Sequence, residues 1–345
     1  LRYGIPSYRL PREVLAKELE LFEQLPITFA FNKRLGKDMW LSDLKENYDE
    51  VILALGSYHH ATLQLEGADK GQVVQGTDVL NALATGEMPS VGKRVVIIGG
   101  GNVAIDVARS LWRMGVEVTI AYRRDKEDMP ANESEIEEAF SEGIPCIFNV
   151  APKKVARDKN GRLEALVVEE LEIGEYDLSG RRIRRGTGSI RSLPCDTVIV
   201  AIGERVDTDL LQKEKLAVSK RGHLEVNPYM YETNQEHVWA IGDVINGPST
   251  AAEAMGQGKE VARLIDLRLS GKDRFAQLFT TFSYDQTVGK TLYEGKAINP
   301  EKLPVAARRG SFEEVNKGYT GRQARMEAGR CLRCDVKCEQ EVLYG

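Results

Sequence analysis

The chain has 345 residues, enough for two or three ordinary domains, and it is 42% hydrophobic and 29% charged, a globular composition. Its formal net charge is −5 with Lys and Arg spread along the chain, which gives no electrostatic case for nucleic acid. No apolar run approaches the roughly 20 residues of a membrane-crossing helix and no secretory signal is visible, so a cytoplasmic protein without a membrane span is expected.

The first predicted element is a helix in REVLAKELELFEQL, after Pro11, with Leu15, Leu19 and Phe22 on one face. ITFAFN and YDEVILALG read as strands; Val51 to Leu55 is nearly all apolar, as a buried parallel strand should be. Lys93 to Arg124 then reads as strand, glycine turn, helix and strand. A helix near Glu133 to Ser141 and a short strand near Cys146 follow. DKNGR carries an Asn-Gly turn and LSGRR resembles a second, so two hairpins are expected. CDTVIVAIG is a buried strand ending at Gly203, GHLEVN a further strand, and HVWAIGDV the last buried strand. STAAEAMGQGKEVARLIDLRL is a long helix behind it. From Lys272 to about Gly321 there is no clear period, which predicts an extended wrapping segment, and a short helix around Gln323 to Ala328 leads into three cysteines.

In IIGGGNVAID, Gly99, Gly101 and Ala104 form G-x-G-x-x-A. Gly99 allows the tight turn, Gly101 lets the backbone approach a pyrophosphate, and Ala104 lets the helix lie close to the strand. The helix opening at Asn102 and Val103 points its free N–H groups at that pyrophosphate. The pattern is weak alone, but here it follows an apolar strand, opens a helix and is succeeded by a second strand, the context it requires. That second strand, VTIAYRR, ends in Arg123 and Arg124, where an NAD site places a carboxylate for the ribose 2′-OH. A carboxylate would repel the 2′-phosphate of NADPH, whereas guanidinium forks match its oxygens. NADPH is therefore expected ahead of NADH; the competing reading is a solvated pair at a strand end. Arg109, on the helix, is expected to be a surface charge rather than a second phosphate ligand.

WAIGDVINGPSTAAEAMGQG is the second informative stretch. A buried strand ends in Gly242-Asp243, a loop carries Gly247-Pro248, and a helix begins near Ser249, Thr250 and Ala251. In two-dinucleotide flavoenzymes such an Asp bonds the ribityl chain of FAD, and the helix N-terminus faces the flavin. The competing reading is a plain strand and crossover helix.

With LRYGIPSYRLP, YDEVILALG and CDTVIVAIG, these stretches carry a family resemblance. From Leu1 to about Leu269 the chain resembles the NADPH-dependent glutamate synthase small-subunit family of pyridine-nucleotide flavoproteins, related members of which serve as electron-transfer or electron-bifurcating subunits. The resemblance implies an α/β two-dinucleotide-binding flavoprotein fold, with a Rossmann-like NADP domain inserted in an FAD domain. The expected division is residues 1–92 for the first part of the FAD domain, 93–205 for the NAD(P)-binding domain, 206–271 for the FAD-domain return and 272–345 for a C-terminal extension. It also implies that Leu55 and Gly56 close one FAD-domain strand, that Ala201, Ile202 and Gly203 close one NADPH-domain strand, and that Gly242 and Asp243 hold the flavin. Members of the family carry an N-terminal G-x-G-x-x-G loop for the FAD pyrophosphate ahead of the YGIPSYRLP segment. The glycine fingerprint within these residues is the nicotinamide one, so an incomplete FAD domain is expected.

EAGRCLRCDVKCEQ places Cys331, Cys334 and Cys338 as C-x2-C-x3-C. Three thiolates this close can converge on one soft metal centre, though iron–sulfur clusters and much structural zinc want four ligands. The resemblance includes E-A-x-R-C-L-x-C segments that lead into [4Fe–4S] sites, which ranks iron–sulfur first, ahead of zinc and of free thiols. His223 and His237 are candidate fourth ligands, with a surface or core role as the plainer reading. Cys146 and Cys195 are isolated in sequence, so a thioredoxin-reductase-like activity, which needs two nearby redox cysteines, is not expected.

The expected function is an NADPH-dependent flavoprotein oxidoreductase that passes hydride to FAD and electrons on to an iron–sulfur centre or a redox partner subunit, with an oligomer compatible. No protein acid or base is required; Glu253 is the nearest candidate, unless it is a first-turn acid suited to the helix dipole. The alternatives are a non-catalytic or regulatory subunit that keeps the fold, and an NAD(P)-only dehydrogenase, against which Gly242-Asp243 argues.

Overall fold

A computed structural model describes residues 1–68, 71–176, 182–274 and 296–330. The LSGRR turn and Cys331, Cys334 and Cys338 lie outside the described residues.

The centre is a five-stranded parallel sheet in the order Val73–Gln75, Thr197–Val200, Arg94–Ile98, Glu117–Ala121, Cys146–Ile147. Parallel neighbours need crossovers, and the helices Gly76–Thr85, Asn102–Arg113 and Glu133–Ser141 lie on one face of it. Side chains alternate along a strand, so Val95 and Ile97 join Val107, Leu111 and Ile136 in the helical layer. Val96 and Ile98 turn the other way, onto Val155, Leu166, Val168 and Leu193. Those four belong to a three-stranded antiparallel sheet, Val150–Arg157, Leu163–Tyr176 and Arg182–Pro194, which covers the second face. Both faces are covered, which is why the middles of the central strands, Val95–Ile98 and Val198–Val200, are continuous apolar runs. Each fully buried Val or Ile contributes roughly 1.5–3 kcal/mol before conformational entropy is set against it.

A smaller unit is built on Val51–Leu53 paired parallel with Val238–Ala240. Its core joins Leu41, Leu53, Val206, Leu211, Leu224 and Val244. The chain passes between the two units through the antiparallel pair His59–His60 and Glu204–Arg205.

Several expectations shift. ITFAFN forms no strand: Ile27, Phe29 and Phe31 alternate as a strand would, yet all three are exposed, and no described strand pairs with them. Alternation without a hydrogen-bonding neighbour does not make a sheet. GHLEVN is reduced to a single bridge between Val218 and Leu224. Val73–Gln75 and the helices Gly76–Thr85 and Leu41–Asn47 were not expected. Because Val73–Gln75 pairs with Thr197–Val200, the sheet that carries the glycine turn reaches upstream of residue 93. The helix Arg12–Glu23 forms as expected but buries only Leu15, leaving Leu19 and Phe22 exposed.

The described part of the C-terminal extension does wrap, and a buried ion network holds it. Glu142 accepts from Arg109 at 2.7 and 3.0 Å, from Arg113 at 2.9 and 3.0 Å and from Arg308 at 2.9 Å. Arg308 also meets Glu138, and Lys302 reaches the same carboxylate at 2.6 Å. The Arg113 guanidinium lies 3.9 Å from the centre of the Tyr8 ring, a cation–π contact, and Arg9 Nη1 donates to both Asp106 oxygens, at 2.7 and 2.8 Å. Backbone bonds complete the attachment, from Gly310 N–H to the Arg113 carbonyl and from Val315 N–H to the Tyr8 carbonyl. Arg109 is thus corrected: it is 1% exposed and spent on carboxylates, neither a surface charge nor a phosphate ligand. Among the described residues no helix is long and apolar enough to cross a membrane.

Candidate nucleotide-binding site

The glycine turn lies where the strand Arg94–Ile98 ends and the helix Asn102–Arg113 begins, at the carboxyl edge of the parallel sheet. Open α/β sheets bind ligands at such edges. Gly99 has φ +143°, and a Cβ there would lie 2.1 Å from the Ala201 carbonyl oxygen. Gly100 is required for a different reason: a Cβ would lie 2.6 Å from the Tyr122 ring, which is buried beneath the turn. Gly101 caps the helix in an extended conformation with almost nothing beside its Cβ position, so its open side is available to a ligand. Ala104 is fully buried against the sheet. Substituting Ala for Gly99 is expected to cost about 1–3 kcal/mol from the backbone conformation alone and more from the carbonyl clash, with coenzyme binding lost; thermal unfolding of the variant checks it.

A second loop closes over the turn. Ala131 N–H donates to the Gly100 carbonyl at 3.3 Å, and Asn132 N–H donates to Asn102 Oδ1 at 2.9 Å. Asn102 is therefore occupied in holding this loop, and Val103 packs against Gly76 rather than facing outward. Nothing in the glycine motif itself signals the role of Met129–Asn132; the adjacent Met-Pro-Ala-Asn run is its only trace in the sequence.

Arg123 and Arg124 leave the end of Glu117–Ala121 beside this loop. Arg123 is exposed and Arg124 half-buried, and among the described residues neither has a carboxylate within ion-pair distance. Nearby arginines do pair: Arg184 takes Asp125 and Asp128. The solvated-pair reading keeps its exposure, but two adjacent uncompensated guanidinium groups beside a helix N-terminus suit a phosphate.

Ala201 N–H donates to the Ile98 carbonyl at 2.8 Å, which sets Ala201 beside Gly99, and Gly203 accepts from Ala61 N–H as the chain turns toward the smaller unit. Ile202 is 40% exposed between them. In the smaller unit Leu55 and Gly56 follow the strand Val51–Leu53, and Gly242 and Asp243 follow its neighbour Val238–Ala240. Parallel pairing in register brings those two ends side by side. Gly242 has φ +73°, and its N–H donates to Gln257 Oε1 at 2.6 Å. Asp243 Oδ1 accepts from the Ser249 amide at 3.0 Å and its hydroxyl at 2.8 Å, while Oδ2 has no hydrogen bond among the described residues. The helix Ala251–Ser270 opens with Thr250 as its N-cap, Thr250 Oγ1 accepting from Glu253 N–H and Glu253 Oε2 accepting from Thr250 N–H. Those bonds hold the Glu253 carboxyl below its usual range. Glu253 is thus a capping acid, and the first-turn reading of it stands.

Glu204 was not foreseen. It lies directly after Gly203, half-buried, in the pair that joins the two units. Burial raises its carboxyl above the usual range and the Asp243 charge adds to this, against a pull from His60.

The remaining candidates fall away from the site. His237 bonds Glu50 at 3.0 Å and His223 packs against Gly247. Among the described residues no group of three His, Cys, Asp or Glu is placed to hold a metal ion. Burial pushes the Cys146 thiol up to about 12 and the Cys195 thiol up to about 11. They pack into opposite layers of the sheet, so they cannot pair.

The family described as pyridine nucleotide-disulphide oxidoreductase matches residues 31–258, which span both units and both strand-end sites. The chain belongs to this family. Members similar to it include the NADP(+)-dependent formate dehydrogenase subunit beta of Moorella thermoacetica, 36% identical over 97% of this chain and 49% of that protein. The NADPH-Fe(3+) oxidoreductase subunit beta of Geobacter sulfurreducens is 32% identical over 96% of this chain and 55% of its own length. The glutamate synthase [NADPH] small chain of Escherichia coli is 33% identical over 76% of this chain and 59% of its own length. The chain therefore spans about half the length of the curated family members it matches. Among solved structures, Mycobacterium tuberculosis FprA in complex with NADPH superposes with a TM-score of 0.64 at 19% identity, covering 81% of this chain and 79% of that one. That likeness shows the two-dinucleotide flavoprotein fold of the family.

Proposed function

We propose that the chain is the NADPH-oxidising, FAD-binding part of an electron-transfer subunit. The observation that carries this reading is the pair Arg123 and Arg124, uncompensated by carboxylates and set beside the glycine turn. The Asn102–Arg113 helix start receives the pyrophosphate, Gly101 supplies the bare backbone, and the two guanidinium groups take the 2′-phosphate. Ala201 to Gly203 line the coenzyme's path toward the smaller unit. There Leu55, Gly56, Gly242, Asp243, Ser249, Thr250 and Ala251 form the flavin side, with Asp243 Oδ2 open to a ribityl hydroxyl. When bound, NADPH and FAD supply the hydride chemistry themselves. The chain binds and aligns them, and no described side chain is required to move a proton.

Residues 61–206, rather than 93–205 alone, act as the NADPH-binding unit, because Val73–Gln75 lies in its sheet. The electrons leave to a partner subunit; the relatives named as beta subunits support this. Cys331, Cys334 and Cys338 are assigned to an iron–sulfur centre on their C-x2-C-x3-C spacing.

Absorption spectra of the protein reconstituted with FAD, followed under anaerobic NADPH, test the reading. Bleaching of the flavin bands by NADPH is expected. Bound flavin that NADPH leaves oxidised would sink it, and the absence of broad iron–sulfur absorption after cluster reconstitution would remove the cysteine assignment alone.

A further inference from the structure

The segment Arg123–Asp128 holds three cations, Arg123, Arg124 and Lys126, against three carboxylates, Asp125, Glu127 and Asp128. By itself it would present no net charge to an incoming phosphate, and Asp125 directly follows the two arginines. The structure compensates from a distant part of the chain. Arg184, on the third strand of the antiparallel sheet, has a side chain only 7% exposed. Its Nη2 donates to Asp125 Oδ2 at 2.7 Å and to Asp128 Oδ2 at 2.9 Å, and its Nε donates to Asn149 Oδ1 at 3.1 Å.

Asn149 is the second half of the device. Its Nδ2 donates to Asp125 Oδ1 at 2.7 Å, its N–H donates to the Arg124 carbonyl at 3.4 Å, and its carbonyl accepts from Leu171 N–H at 2.7 Å. Asn149 adopts φ +53°, a conformation Asn tolerates better than most residues. Both oxygens of Asp125 are thus drawn toward the antiparallel sheet. Lys126 also turns aside, its Nζ 5.2 Å from the centre of the Phe140 ring. Arg123 and Arg124 are left without an ion-pair partner among the described residues, and of the three carboxylates Glu127 alone is exposed without one.

The geometry points to Arg184 as a positioning residue for coenzyme selection: it neutralises and holds back Asp125 and Asp128, so that Arg123 and Arg124 meet the 2′-phosphate without competition from those two carboxylates. This rests on the reading of Arg123 and Arg124 given above and deepens it. A bridging cation also changes the loop from neutral to singly positive, which matters more for a 2′-phosphate than for a 2′-hydroxyl.

Titration calorimetry on the full chain with 2′,5′-ADP and with 5′-AMP tests the inference without requiring flavin. Arg184→Gln is expected to weaken 2′,5′-ADP about tenfold and 5′-AMP less than about twofold, the loss of one charge-assisted compensation. Adding Asp125→Asn and Asp128→Asn to that variant should restore 2′,5′-ADP to within about threefold of the parent, because the carboxylates that needed restraint are gone. Asp125→Asn with Arg184 intact removes one carboxylate and one of its two accepted hydrogen bonds while Asp128 still holds Arg184, and should bind 2′,5′-ADP at least as tightly as the parent, a check that does not depend on the Arg184 variant folding. Equal weakening of both ligands, or no rescue by the neutral pair, would show a merely structural role and overturn the inference. A parent protein that binds 2′,5′-ADP no better than 5′-AMP would overturn the underlying reading as well. A parental preference that survives Arg184→Gln defeats only the role of Arg184.

Discussion

Replacing Arg123 and Arg124 together with alanine is expected to weaken NADPH by about 100-fold, while NADH changes by no more than about threefold. Two charge-assisted contacts to a phosphate are worth on the order of 3 kcal/mol together. The effect should fall on binding rather than on the chemical step, because the 2′-phosphate lies at the far end of the coenzyme from the nicotinamide. Neither side chain holds a protein carboxylate, so their removal leaves no described buried acid unpaired. The fold should survive, and the comparison of KM for the two coenzymes then reads recognition alone. Unchanged discrimination between NADPH and NADH would falsify the phosphate assignment.

Substituting Gln for Glu142 is expected to destabilise the protein by about 3–5 kcal/mol, the usual consequence of breaking a buried ionic cluster from one side. Glu142 is the shared acceptor for Arg109, Arg113 and Arg308, all nearly fully buried. Without its charge, Arg109 and Arg308 have only Glu135 and Glu138 to pair with, and Arg113 has no other carboxylate among the described residues. A loss of this size is a large fraction of the 5–15 kcal/mol typical of folded domains. Burial alone would raise the Glu142 carboxyl, yet the hydrogen bonds and charges of Arg109 and Arg113 hold it down to about 2, from an ordinary 4.5. A depressed carboxyl stabilises the folded state fully above its unfolded value, and that stabilisation is lost as pH falls from about 4.5 toward 2. The wild-type protein should therefore lose stability over that window, and Glu142→Gln should lose the corresponding part of the slope. Urea unfolding at pH 7, and at steps from about pH 4.5 down toward 2, measures both; a variant as stable as wild type at pH 7 would show the cluster to be dispensable. Because Arg308 lies in the C-terminal extension, the same variant should also release that segment to proteolysis before the sheet unfolds.

Sequence alone determined the parts that rest on local chemistry. The glycine turn at Gly99 was legible because glycine tolerates its backbone where other residues are strained, and the strand before it was legible because a strand covered on both faces runs apolar from Val95 to Ile98. The Thr250 cap and the long helix behind it follow from a four-residue pattern. The proposed coenzyme preference also rests on local chemistry, because a residue at such a strand end is placed to meet the ribose.

What only the tertiary structure decided are contacts between residues far apart in the chain. Arg109 and Arg113 look like ordinary helix-surface charges until Glu142 and Arg308 are brought against them, 33 and 166 residues apart for the Arg109–Glu142 and Arg308–Glu142 pairs. ITFAFN has a strand's alternation but no strand neighbour among the described residues, and Val73–Gln75, too short to show a period, becomes a strand because Thr197–Val200 lies beside it. Arg184 reads as one more arginine in a basic hairpin until the fold sets it on Asp125 and Asp128. Periodicity and motif spacing report what a residue does to its own backbone; charge compensation and strand pairing depend on which distant partner the fold supplies.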